Sequence, residues 1–158
     1  MIKKLWLIIA LLFLGCGGDS NVKAEAGHYK DLMTYIYVTY YKNYTPVTCN
    51  TSEYKGYLFV KCFQTGNSND GGIYVVDDTA KNKDGGFDYY AVNGKARSHR
   101  EVVFKNAGGE YYDFKELPFP MPKWLDISEV NQLLSDGGGK NYKGEYIKKS
   151  LFSDDPIR

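Results

Sequence analysis

Three cysteines, two histidines and a few clustered charges are the side chains of this 158-residue chain that could do chemistry. The cysteines are Cys16, Cys49 and Cys62; the histidines are His28 and His99. No Cys-x-x-Cys pair occurs, so the ligand spacing of a structural zinc site is missing and no metal is expected. The chain has no G-x-S-x-G, no Walker loop and no H-E-x-x-H, so nothing sets out a nucleophile, a phosphate cradle or a zinc-bound water. Asp77, Asp78, Asp84 and Asp88 gather around one loop, and two of them could act as the paired carboxylates of a sugar hydrolase. Lys81 and Lys83 lie among them, which favours plain solvated loop acids. The same loop fails the calcium template, because Ala80 would stand as the first ligand. Lys95, Arg97 and His99 alternate, so on a strand they share one face, with Arg100 at a break. That face suits an anionic partner; an edge strand blunted by charge is the plainer reading. Phe119, Met121 and Trp124 lie on a proline-rich strap and are the candidates for an exposed apolar contact.

The first twenty residues, MIKKLWLIIALLFLGCGGDS, place two lysines before an uncharged run from Leu5 to Leu14. The run is about half the roughly 20 residues a spanning helix needs, and its order is that of an export signal. Leu14-Gly15-Cys16 closing such a run resembles the lipobox of bacterial lipoproteins, with Phe13 departing from the usual aliphatic residue. The resemblance covers residues 1–20. It implies cleavage before Cys16, a diacylglycerol on its thiol and residence in the cell envelope. The lipid on Cys16 is then the one covalent group, and no other cofactor is expected. Gly17, in place of Asp, implies by the same resemblance the outer membrane if the cell is Gram-negative. A competing exit is the A-x-A site Ala24-Glu25-Ala26, which would release a soluble protein starting at Gly27.

Removal of residues 1–15 leaves 143, enough for one domain with a real core. The formal charge of +1 becomes −1 without Lys3 and Lys4. A near-neutral chain lacks the basic excess that phosphate neutralisation demands, so nucleic acid is not expected as a partner. With Cys16 lipidated or removed, Cys49 and Cys62 remain. An exported pair is expected as a disulfide, the alternative being two buried free thiols. If Lys55-Gly56 forms a two-residue turn, Tyr54 faces Tyr57, Ser52 faces Phe59 and Cys49 faces Cys62. That last pair is non-hydrogen-bonded, where antiparallel backbones come to about 4.5 Å. Closing such a loop is worth about 3 kcal/mol.

The remaining elements must hold these groups. Residues 17–27 are small and polar and read as a tether reaching roughly 18 Å. In residues 28–44, Tyr29, Leu32, Met33, Ile36 and Tyr40 recur at helical spacing. Residues 71–77 and 87–92 read as strands. Asn93-Gly94 is the best hairpin turn in the chain, with return strands over 95–105 and 110–115. Asp126 caps a helix over 126–135, with Glu129 as its reciprocal partner and Leu125 and Val130 as a staple. Residues 142–152 read as strand or short helix.

The expectation is an α+β domain over 28–158: an antiparallel meander of five to six strands with an N-terminal and a C-terminal helix packed on it, braced by one disulfide. The division is a signal peptide (1–15), a lipidated cysteine with its tether (16–27) and that domain. The functional expectation is a non-catalytic binding module, lipid-anchored in the envelope and engaging the bilayer through its lipid. Its partner would be another envelope protein or an anionic envelope polymer. The alternatives are a soluble secreted inhibitor or effector and a small secreted hydrolase.

Overall fold

The hairpin around the two cysteines forms in the expected register. β1 (Val47–Tyr54) and β2 (Tyr57–Gln64) pair antiparallel, with Tyr54 opposite Tyr57 and Cys49 opposite Cys62. A disulfide joins that pair across a Cα separation of 4.1 Å. Lys55 (φ 49) and Gly56 (φ 84) both adopt the left-handed region, the backbone of a type I′ turn whose twist matches the strands. The Lys55 ammonium donates to the carbonyl of Trp124 at 3.1 Å, tying this turn to the far strap. These features come from a computed structural model, which describes residues 18–77, 83, 86–106, 114–117, 121–135 and 151.

β3 (Gly72–Asp77), β4 (Asp88–Ala91) and β5 (Phe114–Glu116) complete a five-stranded sheet in the order β1-β2-β3-β4-β5. The first three pairings are antiparallel and the last is parallel. Both faces are covered. Val60, Cys62, Tyr74, Val76, Tyr89 and Phe114 point to one core, while Phe59, Ile73, Val75, Tyr90 and Leu117 point to the other. The period of two along each strand divides them, and the architecture is α+β.

The region after Asn93 departs from the meander. Residues 94–106 form a helix, α2 (Gly94–Asn106), where return strands were expected. Asn93 is its cap: the side-chain carbonyl accepts from the Ala96 amide at 2.9 Å. The same oxygen accepts from the Ile73 amide, and the Asn93 amide group donates to the Gly71 carbonyl. Asn-Gly thus starts a helix stapled to β3. Ala96, His99 and Val103 are buried at i, i+3 and i+7, a helical stripe that hides within the apparent alternation. A helical crossover returns the chain to the end from which β4 started, so β5 runs parallel to β4.

α1 (Gly18–Thr39) starts ten residues before the expected His28, so the segment read as a tether is helical from Gly18. Lys23, Ala24, Glu25 and Ala26 are good helix formers and carry the helix up to Gly27. Its buried residues Tyr29, Met33, Ile36 and Tyr37 lie on the disulfide face of the sheet, as do Ala96 and Val103 of α2. α3 (Ile127–Ser135) lies on the opposite face and buries Val130 and Leu134. Asp126 caps it, accepting from the amides of Ser128 at 2.9 Å and Glu129 at 3.2 Å. Glu129 turns away from the cap and accepts from the Tyr54 hydroxyl at 2.9 Å. Asn50 donates to the Leu134 carbonyl, fixing the other end of α3 to β1.

Candidate functional site

On the disulfide face, one polar string passes between α1, α2 and β3. His99 is fully buried. Its Nε2 lies 3.0 Å from the Tyr37 hydroxyl and its Nδ1 lies 3.0 Å from the Tyr74 hydroxyl. A neutral imidazole offers one donor and one acceptor, so one tyrosine donates to the ring and the other accepts from it. Burial, and after it the Lys95 ammonium, pulls the ring down to about 4, with Asp70 opposing. Burial pushes the Tyr37 phenol up to about 12 and Tyr74 well above its ordinary value. A Cβ on Gly72 would meet His99 Nδ1 at 2.8 Å, so the close approach of this ring to β3 requires glycine there.

The string ends at a tyrosine-rich turn. Tyr37 packs on Tyr41 at 5.5 Å between centroids, and Tyr41 meets the His99 ring at 5.9 Å. Lys42 (φ 52) takes the left-handed conformation that stops α1, and the Asn43 amide donates back to the Tyr37 carbonyl at 3.0 Å. Asn43 Oδ1 then accepts from the Thr45 amide, closing an Asx turn. Tyr41 and Tyr44 on this turn are 39% and 74% exposed and Tyr35 on α1 is 46% exposed; they are the large exposed apolar side chains among the described residues. Tyr35 meets Tyr40 edge-on at 5.9 Å. The helical spacing read in residues 28–44 runs through Tyr29, Leu32, Met33, Ile36 and Tyr40, which do pack in or against the core, and does not include these three tyrosines. The available signal was position: Tyr35 falls on one helical stripe with His28 and Asp31, both exposed.

The residues singled out in the sequence separate. Lys95, Arg97, His99 and Arg100 form no common strand face, because they lie on α2. Lys95 pairs with Asp70 at 2.9 Å, Arg97 and Arg100 approach Glu116 at 3.7 and 3.8 Å, and His99 points inward. Trp124 is buried and stacks on Tyr57, centroids 4.4 Å apart and planes 14° apart. Met121 is half-buried against the same core, and Phe119 lies outside the described residues. The strap folds inward because Tyr57 and Phe59 of β2 offer it an aromatic floor. Of the loop acids, Asp77 stands opposite Asp88 across β3 and β4, and Asp88 is engaged by the Lys115 ammonium. Asp78 and Asp84 lie outside the described residues, as does Cys16.

The sequence reading did not single out one buried cation. Lys61, on β2, is fully buried; its ammonium donates to Asn131 Oδ1 at 2.7 Å and to Ser135 Oγ at 3.0 Å. Burial lowers its pKa. Its position in the alternation with Phe59 and Phe63 puts it on the α3 face, a signal that register alone carries.

Among the described residues no group of three or more His, Cys, Asp or Glu side chains could hold a metal ion, and no helix is long and apolar enough to cross a membrane. Comparison of the chain with protein-family models, curated proteins and solved structures finds no match.

Proposed function

We propose that this chain is a lipid-anchored protein of the bacterial envelope, held by a diacylglycerol on Cys16, whose domain is a non-catalytic binding module. The contact surface is the tyrosine-bearing end of α1: Tyr35, Tyr41 and Tyr44. The observation that carries the reading is the exposure of Tyr41 and Tyr44 on a turn whose backbone is closed by hydrogen bonds from Asn43 and Thr45, beside Tyr35 exposed on α1. Tyrosine combines a large apolar face with a polar tip, and a preorganised turn reduces the entropy lost on association. The partner is another envelope protein. An anionic polymer is less favoured, since Lys95, Arg97 and Arg100 already face Asp70 and Glu116. Hydrolysis by loop acids is disfavoured by the engagement of Asp88 with Lys115.

The start of α1 at Gly18 favours the lipoprotein exit over release at Ala26. A cut after Ala26 would remove residues 18–26 of this helix, whereas a cut before Cys16 keeps all of α1. Two or three acyl chains on Cys16 would hold the protein durably. Gly17 points to the outer membrane.

A photo-reactive aromatic residue in place of Tyr44, activated in intact cells, tests the surface. The expected result is a discrete adduct with one envelope protein, lost when Tyr41→Ser is added. The same probe at Lys105, exposed on α2, should give no such adduct. Identical products from both positions would refute the surface.

A further inference from the structure

The arrangement around His99 goes beyond binding to its control. We propose that His99 is an acid-opened latch: its hydrogen bonds to Tyr37 and Tyr74 hold the end of α1, with Tyr41, against β3, and a proton on the ring releases that end.

The neutral ring satisfies both tyrosine hydroxyls, donating to one and accepting from the other. A protonated ring has two N–H donors and no acceptor. Both tyrosine oxygens can accept from the charged ring, but the hydroxyl that donated to it must send its proton elsewhere in a closed core, for Tyr74 towards Tyr29. The new charge also lacks compensation. Asp70 is the acid that acts on the ring, and its carboxylate is held by Lys95 at 2.9 Å. Lys95 itself opposes a second positive charge, and Glu101 acts on Tyr41, on the outer side of the string. From β3 the ring meets Tyr74 and the backbone at Gly72, neither of which supplies a negative charge. A buried, unpaired cation is relieved by admitting water.

The same geometry decides which element yields. α2 is stapled to β3 through Asn93, and Arg97 and Arg100 face Glu116 of β5. The upstream part of α1 is held by Tyr29, which packs on Tyr74, Tyr89 and Phe114. The segment beyond Tyr37 carries the exposed Tyr41 and Tyr44 and ends the helix, where local opening is easiest. The released state regains the ordinary histidine affinity for protons, so opening grows as pH falls from about 6.5 and levels off below about 4.

Hydrogen exchange of the full mature chain, corrected for the intrinsic pH dependence of exchange, tests the latch. Between pH 7 and pH 4.5 the opening constant of residues 36–44 should rise about 50-fold, from proton linkage between the two states. Residues 127–135 of α3 serve as the internal control and should stay unchanged. His99→Gln, which keeps one donor and one acceptor, should make residues 36–44 insensitive to pH. A flat profile for 36–44 in the unaltered protein, or an equal rise in both segments, would overturn the latch even if the variant failed to fold. The consequence for binding rests on the surface proposed above, whereas the release does not. Missing adducts at Tyr44 with the exchange profile intact would count against that surface alone.

Discussion

Nζ of Lys61 donates to Oδ1 of Asn131 at 2.7 Å, joining the second strand of the sheet to the helix that covers it. The lysine side chain is fully buried, and the partners that hold its ammonium, Asn131 and Ser135, are neutral. Desolvating an ammonium for two neutral acceptors is costly, and apolar replacement of buried charges is often neutral or stabilising. Lys61→Met should therefore unfold in urea at an equal or higher midpoint. Asn131→Leu leaves the ammonium short of an acceptor and should cost about 1–3 kcal/mol. The pH sign follows from the lowered pKa of Lys61. The unfolded chain binds this proton more tightly, so the unaltered protein should gain on Lys61→Met as pH rises towards 10.5.

Asn93 should be the most sensitive polar residue outside the string. Its side chain makes three bonds: to the amides of Ala96 and Ile73 and to the carbonyl of Gly71. Asn93→Ala should cost about 2–4 kcal/mol, combining a lost cap with buried groups left unpaired. Asn93→Asp keeps the accepting oxygen but sets a second acceptor against the Gly71 carbonyl, so it should recover the cap and not the staple. Thermal unfolding of both variants measures the two costs.

The raised tyrosines govern the alkaline side. Tyr37 is pushed up to about 12 from 10.0, first by burial, and burial likewise raises Tyr74 well above 10.0. A phenol whose folded pKa lies above its unfolded value contributes stability that is complete below pH 10 and lost as pH rises towards about 12. Phenolate absorbance should show a fraction of the tyrosines that ionises only well above pH 10. Tyr37 and Tyr74 should ionise together with loss of the folded circular dichroism signal. Ionisation of all tyrosines in one step near pH 10, with the fold intact, would contradict the burial.

Reduction tests the disulfide. Cys49 and Cys62 are 13 residues apart, and opening a loop of this size should cost about 3 kcal/mol. Trp124 is the reporter in the mature chain proposed above, which would lack Trp6, the other tryptophan. The reduced protein should keep the blue-shifted emission of a buried indole in buffer and lose it at a lower urea concentration.

These relationships differ in how openly the sequence displays them. The Cys49–Cys62 register was legible because a two-residue turn and a period of two leave one pairing, and the Asp126 cap because an acceptor must precede an apolar stripe. α2 was not, because Asn-Gly serves a hairpin turn and a helix cap equally well. Only long-range bonds to Gly71 and Ile73 decide for the cap. The same ambiguity placed His99 on a solvent-facing strand, although its partners lie 62 and 25 residues away. Trp124 looked available for contact because prolines hold the strap extended; that Tyr57 lies beneath it is a fact of tertiary packing. Tyr35 was readable from its helical stripe, whereas Tyr44, beyond the helix, gave no such cue.

The proposed attachment at Cys16 and the proposed tyrosine surface would be linked through α1 (Gly18–Thr39). The mass of the N-terminal peptide of the mature protein, recovered from membranes, tests that attachment most directly. The expected result is a peptide that begins at Cys16 and carries a diacylglycerol. A mature chain that begins at Gly27, without lipid and without the first nine residues of α1, would contradict it.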